Sequence, residues 1–345
     1  MRILERVEQI YAIGGGLGAN RPGGGDGEQR AHDLVAGWIE EAGLSVEVDP
    51  DGNLLGRLEG DDPGASEIWT GSHLDSVPNG GRFDGVLGVL AGLEAIERIG
   101  RSRRTLAVAV FRDEERGLTG SRARVQRGPL PDVFLEAHIE QGPILERAAA
   151  PLGVVTAIVG LARGEVVLHG AAGHAGTTPM AGRRDALAAA AELVLHVRDT
   201  ALGLPGCVAT VGRLEVEPGA ENVIPERATL SIDARAPEQE RLDRLVAALG
   251  FEPSLTTAPA LMDEGVRAVL REELERRGLP APELVSGAGH DTGVLAAAGV
   301  RCGMLFVRSG AGGISHSPEE WSDPDDIALC VDVLAGALAR LASAQ

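Results

Sequence analysis

Between residues 28 and 43 the apolar side chains Ala31, Leu34, Val35, Trp38, Ile39 and Ala42 recur at steps of three and four, which predicts an amphipathic helix closing at Gly43. The chain then alternates through SVEV and NLLGRLEG around a DPDGN turn, the pattern of a hairpin whose register Asp51-Gly52 sets. EIWT reads as strand, VLGVLAGLEAIERI as helix, and TLAVAVF and VFLEAH as strands. Strands alternating with helices, and apolar runs such as 106–111, predict a buried, largely parallel α/β sheet. After Leu152 the texture changes to GVVTAIVGLARGEVVLHG, a helix over 185–197, CVATVGRLEV, RATLSIDAR and a helix over 237–249, the outline of a compact α+β module. From Phe251 the pattern gives a helix over 262–277, a short helix over 292–298, a strand over 302–307 and a closing helix over 325–342. One domain is therefore expected over 1–152 and 251–345, with a second, 153–250, inserted into it. There is no internal repeat.

Composition narrows what such a chain can do. At about 150 residues per domain, 345 residues fit two domains. Acidic side chains outnumber basic ones 51 to 32, a formal charge of −19, so neither nucleic acid nor a membrane surface is expected as partner. All 32 basic residues are arginine. Without lysine the chain cannot run pyridoxal-phosphate, Schiff-base, Walker-loop, protein-kinase or serine–lysine chemistry. Cys207, Cys302 and Cys330 are far apart and lack CxxC spacing, which suits neither a disulfide framework nor a thiolate zinc site and points to a reducing cytoplasm. The N-terminus is charged and amphipathic, and no run reaches about 18 apolar residues, so neither signal peptide nor membrane span is expected. The glycine-rich stretch 14–28 has no strand ahead of it and no G-x-G-x-x-G spacing, and reads as a flexible loop.

Five of the eight histidines, His73, His138, His174, His290 and His316, sit among Gly, Ser, Asp and Glu rather than on periodic apolar faces. GSHLDSVPNGGRFDG follows the EIWT strand, placing His73, Asp75 and Asp84 at a strand's C-terminal end, where open α/β sheets bind ligands. His73 and Asp75 point the same way on extended chain, so Asp75 can hold the second ring nitrogen of a metal-binding His73. Asp84 is a carboxylate able to bridge two ions. Glu114 and Glu115 follow the next strand side by side, so one can bind metal while the other faces substrate as a base. Taken alone, such a pair is usually solvated charge. VFLEAHIEQGP brings His138 to the same edge, and GGISHSPEE supplies His316 ahead of the last helix. His73, Asp84, Glu115, His138 and His316 thus offer donors for two ions sharing Asp84, each with room for a water. Nitrogen and oxygen donors without cysteine suit zinc, manganese, cobalt or nickel.

GSHLDSVPNGGRFDG, the DEE trio, HIEQGPILE, GHAGTTPM, NVIP, SGAGHD and GGISHSPEE, in that order from Gly52 onward, resemble the amidase/carbamoylase branch of the M20 metallopeptidase-like hydrolases. That branch includes N-carbamoyl-L-amino-acid hydrolases and allantoate amidohydrolases, and HIEQGP with HAGTTPM is specific to it. The resemblance implies a metal-dependent exopeptidase-like catalytic domain and an inserted ferredoxin-like dimerisation and lid domain, forming a homodimer. It implies that His73, Asp84 and His138 hold one ion and Asp84, Glu115 and His316 the other, with zinc favoured. Glu114 resembles the general acid/base, Asp75 the orienting partner of His73, and His174 the group that polarises the scissile carbonyl. Gln141, Asn222 and Arg235 resemble the grip on a small substrate's carboxylate, with the loop from Gly287 to His290 lining the pocket. The implied reaction is hydrolysis of the C–N bond of an N-carbamoyl amino acid or related ureide. A dipeptidase or aminoacylase, or a scaffold without catalysis, are the alternatives. The chain departs from the branch in having EERGLTGS where EEGSRFG is usual, a shorter stretch between Glu115 and His138, and Arg116 beside the paired carboxylates.

Overall fold

The long apolar runs become strands covered on both faces: every residue of Ile68–His73, Leu106–Phe111 and Val133–Ile139 is buried. The structure, a computed structural model, describes residues 2–343. In chain order its strands are β1 (Ser45–Val48), β2 (Leu54–Leu58), β3 (Ile68–His73), β4 (Leu106–Phe111), β5 (Val133–Ile139), β6 (Leu152–Ile158), β7 (Gly160–His169), β8 (Val208–Glu217), β9 (Arg227–Ala236), β10 (Leu255–Thr257), β11 (Ala260–Leu261), β12 (Glu283–Ser286) and β13 (Arg301–Val307). Nine form one sheet in the order β1-β2-β4-β3-β5-β13-β6-β11, with β12 paired to β6. Its centre, β4-β3-β5-β13, is parallel. The pairs β1–β2, β2–β4 and β13–β6 are antiparallel. The sheet is therefore mixed, which corrects the expectation of a mostly parallel one. An apolar run records that a strand is covered on both faces, not which way its neighbour runs, and the tight Asp51-Gly52 turn obliges β1 and β2 to pair antiparallel.

Contacts divide the chain into two units, one running to Ala157 and resuming at Leu261, the other Ile158–Ala260. The junctions lie beyond residues 152 and 251 because β6 still pairs with β13 in the first sheet. In the first unit helix Val86–Ile99 is buried along most of its length. Closing helix Pro324–Ser343 adds Ile327, Val331, Leu334 and Leu338 to the same core. The second unit has the antiparallel sheet β10-β7-β9-β8 and the helices Ala186–Leu202 and Gln239–Leu249. Val197, Ile232, Leu242 and Leu245 belong to its own core. No helix among the described residues is long and apolar enough to cross a membrane.

Candidate metal centre

Parallel strands deliver their C-terminal ends to one edge of the sheet. His73 closes β3 opposite Phe111 of β4, and His138 near the end of β5 is in register with Phe306 of β13. Helix Glu114–Gly117 follows β4, and the loop after β13 carries His316. Donor atoms of His73, Asp84 and His138 lie within 4.8 Å of one another, as do those of Asp84, Glu115 and His316. Asp84 belongs to both groups and divides its oxygens between them. Oδ1 is 3.2 Å from His138 Nε2 and 3.8 Å from His73 Nε2. Oδ2 is 3.2 Å from His316 Nε2, which in turn is 3.4 Å from Glu115 Oε2. The far nitrogens of the two buried rings have partners of their own. His138 Nδ1 is 2.9 Å from the Ile139 carbonyl and His73 Nδ1 is 3.2 Å from Asp75 Oδ1, so both rings present Nε2 on the side of Asp84. Each group could hold a divalent cation.

The electrostatics fit cations as well as the spacing does. Glu115 Oε1 is buried without a hydrogen-bond partner. Burial pushes Glu114 well above the ordinary carboxyl range; the pull of His73 opposes this, while Asp291, Glu115 and Asp84 add to it. Burial and the Asp84 charge likewise raise Glu115. Burial also acts to raise Asp84, but its bonds to His138 and His316 outweigh it and hold the group well below its usual range. Burial acts to lower His73, and Glu114 with Asp75 and Asp84 overcomes it. The hydrogen bond to Asp84 pushes His316 up to about 9. Carboxyls that must borrow protons to balance their charge are ones that divalent ions neutralise directly. Asp75 also accepts the backbone N–H of Glu114 at 3.1 Å and of Glu115 at 3.2 Å, so one carboxylate orients both the His73 ring and the paired glutamates. Glu114 belongs to neither ligand group, yet its Oε2 lies 3.8 Å from His73 Nε2. Three residues of this edge, Asp113 (φ 51°), Gln141 (φ 55°) and His316 (φ 56°), adopt the left-handed backbone, strain of the kind that collects at functional sites.

A profile described as peptidase family M20/M25/M40 matches residues 69–340. The chain belongs to this family. The N-carbamoyl-L-amino acid amidohydrolase of Geobacillus stearothermophilus is 37% identical to it over 411 residues, covering 100% of this chain and 99% of that one. The allantoate amidohydrolase of Bacillus subtilis is 33% identical over 360 residues, 87% of either chain. The crystal structure of an amidase of the hydantoinase/carbamoylase family from Burkholderia multivorans matches with a TM-score of 0.93 at 32% identity, covering 99% of this chain and 98% of that one.

The remaining residues singled out in this M20-family sequence are placed unequally. Gln141 donates to Asp84 Oδ2 at 3.0 Å, and with Gly287 and His316 it lines a cavity of about 630 Å³. His290 is buried instead, its ring 4.5 Å from that of His138 and its Nε2 2.9 Å from Ser286 Oγ. Burial and the neighbouring His138 hold it well below its ordinary value, so it packs as a neutral ring. His174, Asn222 and Arg235 belong to the second unit. There His174 Nδ1 accepts from the backbone N–H groups of Gly176 (3.1 Å) and Thr177 (3.3 Å), the Asn222 backbone carbonyl accepts from Ala175 N at 2.9 Å, and Arg235 Nε donates to Asp233 at 2.8 Å. Arg116, new to the motif, donates to Asp113 at 2.7 Å and to the Gly23 carbonyl rather than to Glu115.

Two residues of the centre carry no mark in the local pattern. The glycine-rich stretch is a loop only as far as Gly25, where helix Asp26–Glu41 begins, and it is tied down, with Ala19 bridging Gly80. Its Arg21 is fully buried and donates to the Leu74 carbonyl, between His73 and Asp75, at 2.8 Å. Burial lowers its pKa to about 10 against the pull of Asp75 and Asp84, so the guanidinium stays charged at neutral pH. Glu320 accepts from the backbone N–H of Phe83 at 2.7 Å and of Asp84 at 3.2 Å, and from Ser315 Oγ at 2.7 Å, linking the loops of Asp84 and His316. Only its place within GGISHSPEE hinted at this.

Proposed function

We propose that the protein is a metal-dependent amidohydrolase that cleaves the C–N bond of an N-carbamoyl L-amino acid or related ureide. The observation that carries this is Asp84, buried between two donor groups with one oxygen toward each, in a chain whose relatives include a carbamoyl amino acid hydrolase and an allantoate hydrolase. His73, Asp84 and His138 would hold one divalent ion, and Asp84, Glu115 and His316 a second, with zinc favoured. Such ions, when bound, make hydroxide accessible near neutral pH and polarise the scissile carbonyl. Glu114, largely covered and outside both ligand groups, takes a proton from the attacking water and delivers it to the leaving nitrogen. His174 is assigned to the developing oxyanion, since a ring that accepts at Nδ1 keeps a proton on Nε2 to donate. Gln141, Asn222 and Arg235 grip the substrate carboxylate, while the loop from Gly287 to His290 borders the cavity through Gly287 and buries His290 against His138. With one water, a carbamoyl substrate yields the free amino acid, ammonia and carbon dioxide.

The second unit reads as a ferredoxin-like lid and dimerisation module in a cytoplasmic homodimer. Its edge strand β8 exposes Val208 and Leu214, an unpaired row open to a second copy; sedimentation as a monomer overturns that assignment. The reaction is tested by loading the purified protein with zinc or manganese and screening N-carbamoyl amino acids, allantoate and dipeptides for ammonia and amine release. Hydrolysis of carbamoyl or ureide compounds is expected, and Glu114→Gln should keep its metal while losing about 10²–10⁴ in turnover. Preference for a dipeptide, or full turnover by the variant, overturns the assignment.

A further inference from the structure

The cavity beside the centre lies wholly within the first unit, and its wall is divided by chemistry. One side is the centre itself, through Gln141 and His316. The other is apolar: Ile144, Leu284, Val285, Ala288 and Phe306. Ile144 and Val285 are 51% and 39% exposed, so two aliphatic residues face open space next to a candidate metal ligand. A bare aliphatic residue on a surface needs no explanation, but two lining one cavity beside reactive groups mark where a ligand is covered. Apart from His316, none of the described residues lining this cavity can carry a positive charge. The one carboxylate in the lining, Glu140, is pinned there by the backbone N–H groups of Ile144 at 2.6 Å and Leu145 at 2.9 Å. The wall therefore offers apolar area and a fixed negative charge. An anionic substituent meets repulsion there, and a second ureido group finds few partners for its polar atoms.

Resting on the amidohydrolase reading, we infer that this cavity holds the substrate's α-substituent and selects an uncharged aliphatic or thioether side chain. The favoured substrates are then N-carbamoyl forms of amino acids such as leucine or methionine, over those of glycine or aspartate and over allantoate. Gly287 sets no size limit on its side of the wall: a Cβ built on it meets nothing within 4 Å.

Binding and turnover, read separately, test this. N-carbamoyl forms of L-leucine, L-methionine, glycine and L-aspartate, together with allantoate, are titrated calorimetrically into the metal-reconstituted Glu114→Gln protein, and the same compounds are given to the parent enzyme. The leucine and methionine forms should bind at least about ten-fold tighter than the other three. Val285→Arg, at an exposed position, should shrink the leucine-over-aspartate ratio by a similar factor. Equal binding of the leucine and glycine forms, tighter binding of the aspartate form or allantoate, or no binding of any compound overturns the apolar assignment. Hydrolysis of aspartate-type substrates or allantoate by the parent enzyme in those cases leaves the amidohydrolase reading standing. Tight, selective binding of the leucine form without hydrolysis of any compound does the reverse: the pocket stands and the reaction falls.

Discussion

Asp75 shows how much a single carboxylate can organise. Its Oδ1 faces His73 Nδ1 and the Glu114 N–H, and its Oδ2 accepts the Glu115 N–H. Replacing it by asparagine keeps the shape, but turns one acceptor into a donor that must face another N–H, and removes the charge that makes the His73 ring a better ligand. Asp75→Asn should stay folded by circular dichroism and lose about 10- to 100-fold in metal affinity, measured by competition with a chromophoric chelator; an unchanged affinity would show that His73 needs no such partner. The Asp75–His73 relation was legible in the sequence, because residues two apart on extended chain share a side. Arg21 was not. A charge among glycines reads as solvent-exposed, and only the folded chain shows that this guanidinium is buried against the Leu74 carbonyl with the acids of the centre around it.

Among the elements, helix Val86–Ile99 sets how accurately the site is held, because it begins two residues after Asp84 and packs on the strands that carry His73 and His138. Close approach is possible only because residue 88 has no side chain: a Cβ there would lie 2.2 Å from the Ala137 carbonyl oxygen and 2.8 Å from Ser72 Cβ. At the helix start, Gly85 (φ 65°) lies against the His73 ring, where a Cβ would come within 2.5 Å. Gly88→Ala should therefore push the helix off the sheet, costing about 1–3 kcal/mol in urea unfolding and weakening metal binding together. Lost stability with intact metal affinity would mean that the helix moves without carrying Asp84. Periodicity located this helix and the buried strands beside it, since both patterns are local. Short β12 escaped it: four residues give too little alternation to separate a strand from a loop, and its place comes from pairing with β6, far away in sequence.

For the molecule as a whole, the same charges make stability depend on pH and on metal in a definite direction. Burial raises Asp291 to about 8 from an ordinary value of 3.8, and the bond to Asp84 raises His316 to about 9 from 6.5. A group whose folded pKa lies above its unfolded one stabilises fully below the unfolded value and stops doing so as pH rises through the folded value. The Asp291 contribution is thus lost between about pH 4 and 8, and the His316 contribution between about pH 6.5 and 9. Asp84 runs the other way: it is held well below 3.8, so its contribution is full above that value and is lost as pH falls through its folded value. The metal-free protein should accordingly be most stable in mildly acidic solution and soften toward pH 9. Divalent ions compete with these protons, so loading them should release protons at pH 7 and raise the melting temperature most on the alkaline side. Thermal melts from pH 4 to 9 with chelator, and again with zinc or manganese, together with calorimetry in buffers of different ionisation enthalpy, read both effects. A chelated protein that grows more stable toward pH 9, or a melt indifferent to the ions, would mean that His73, Asp84, Glu115, His138 and His316 are brought together for some purpose other than holding cations.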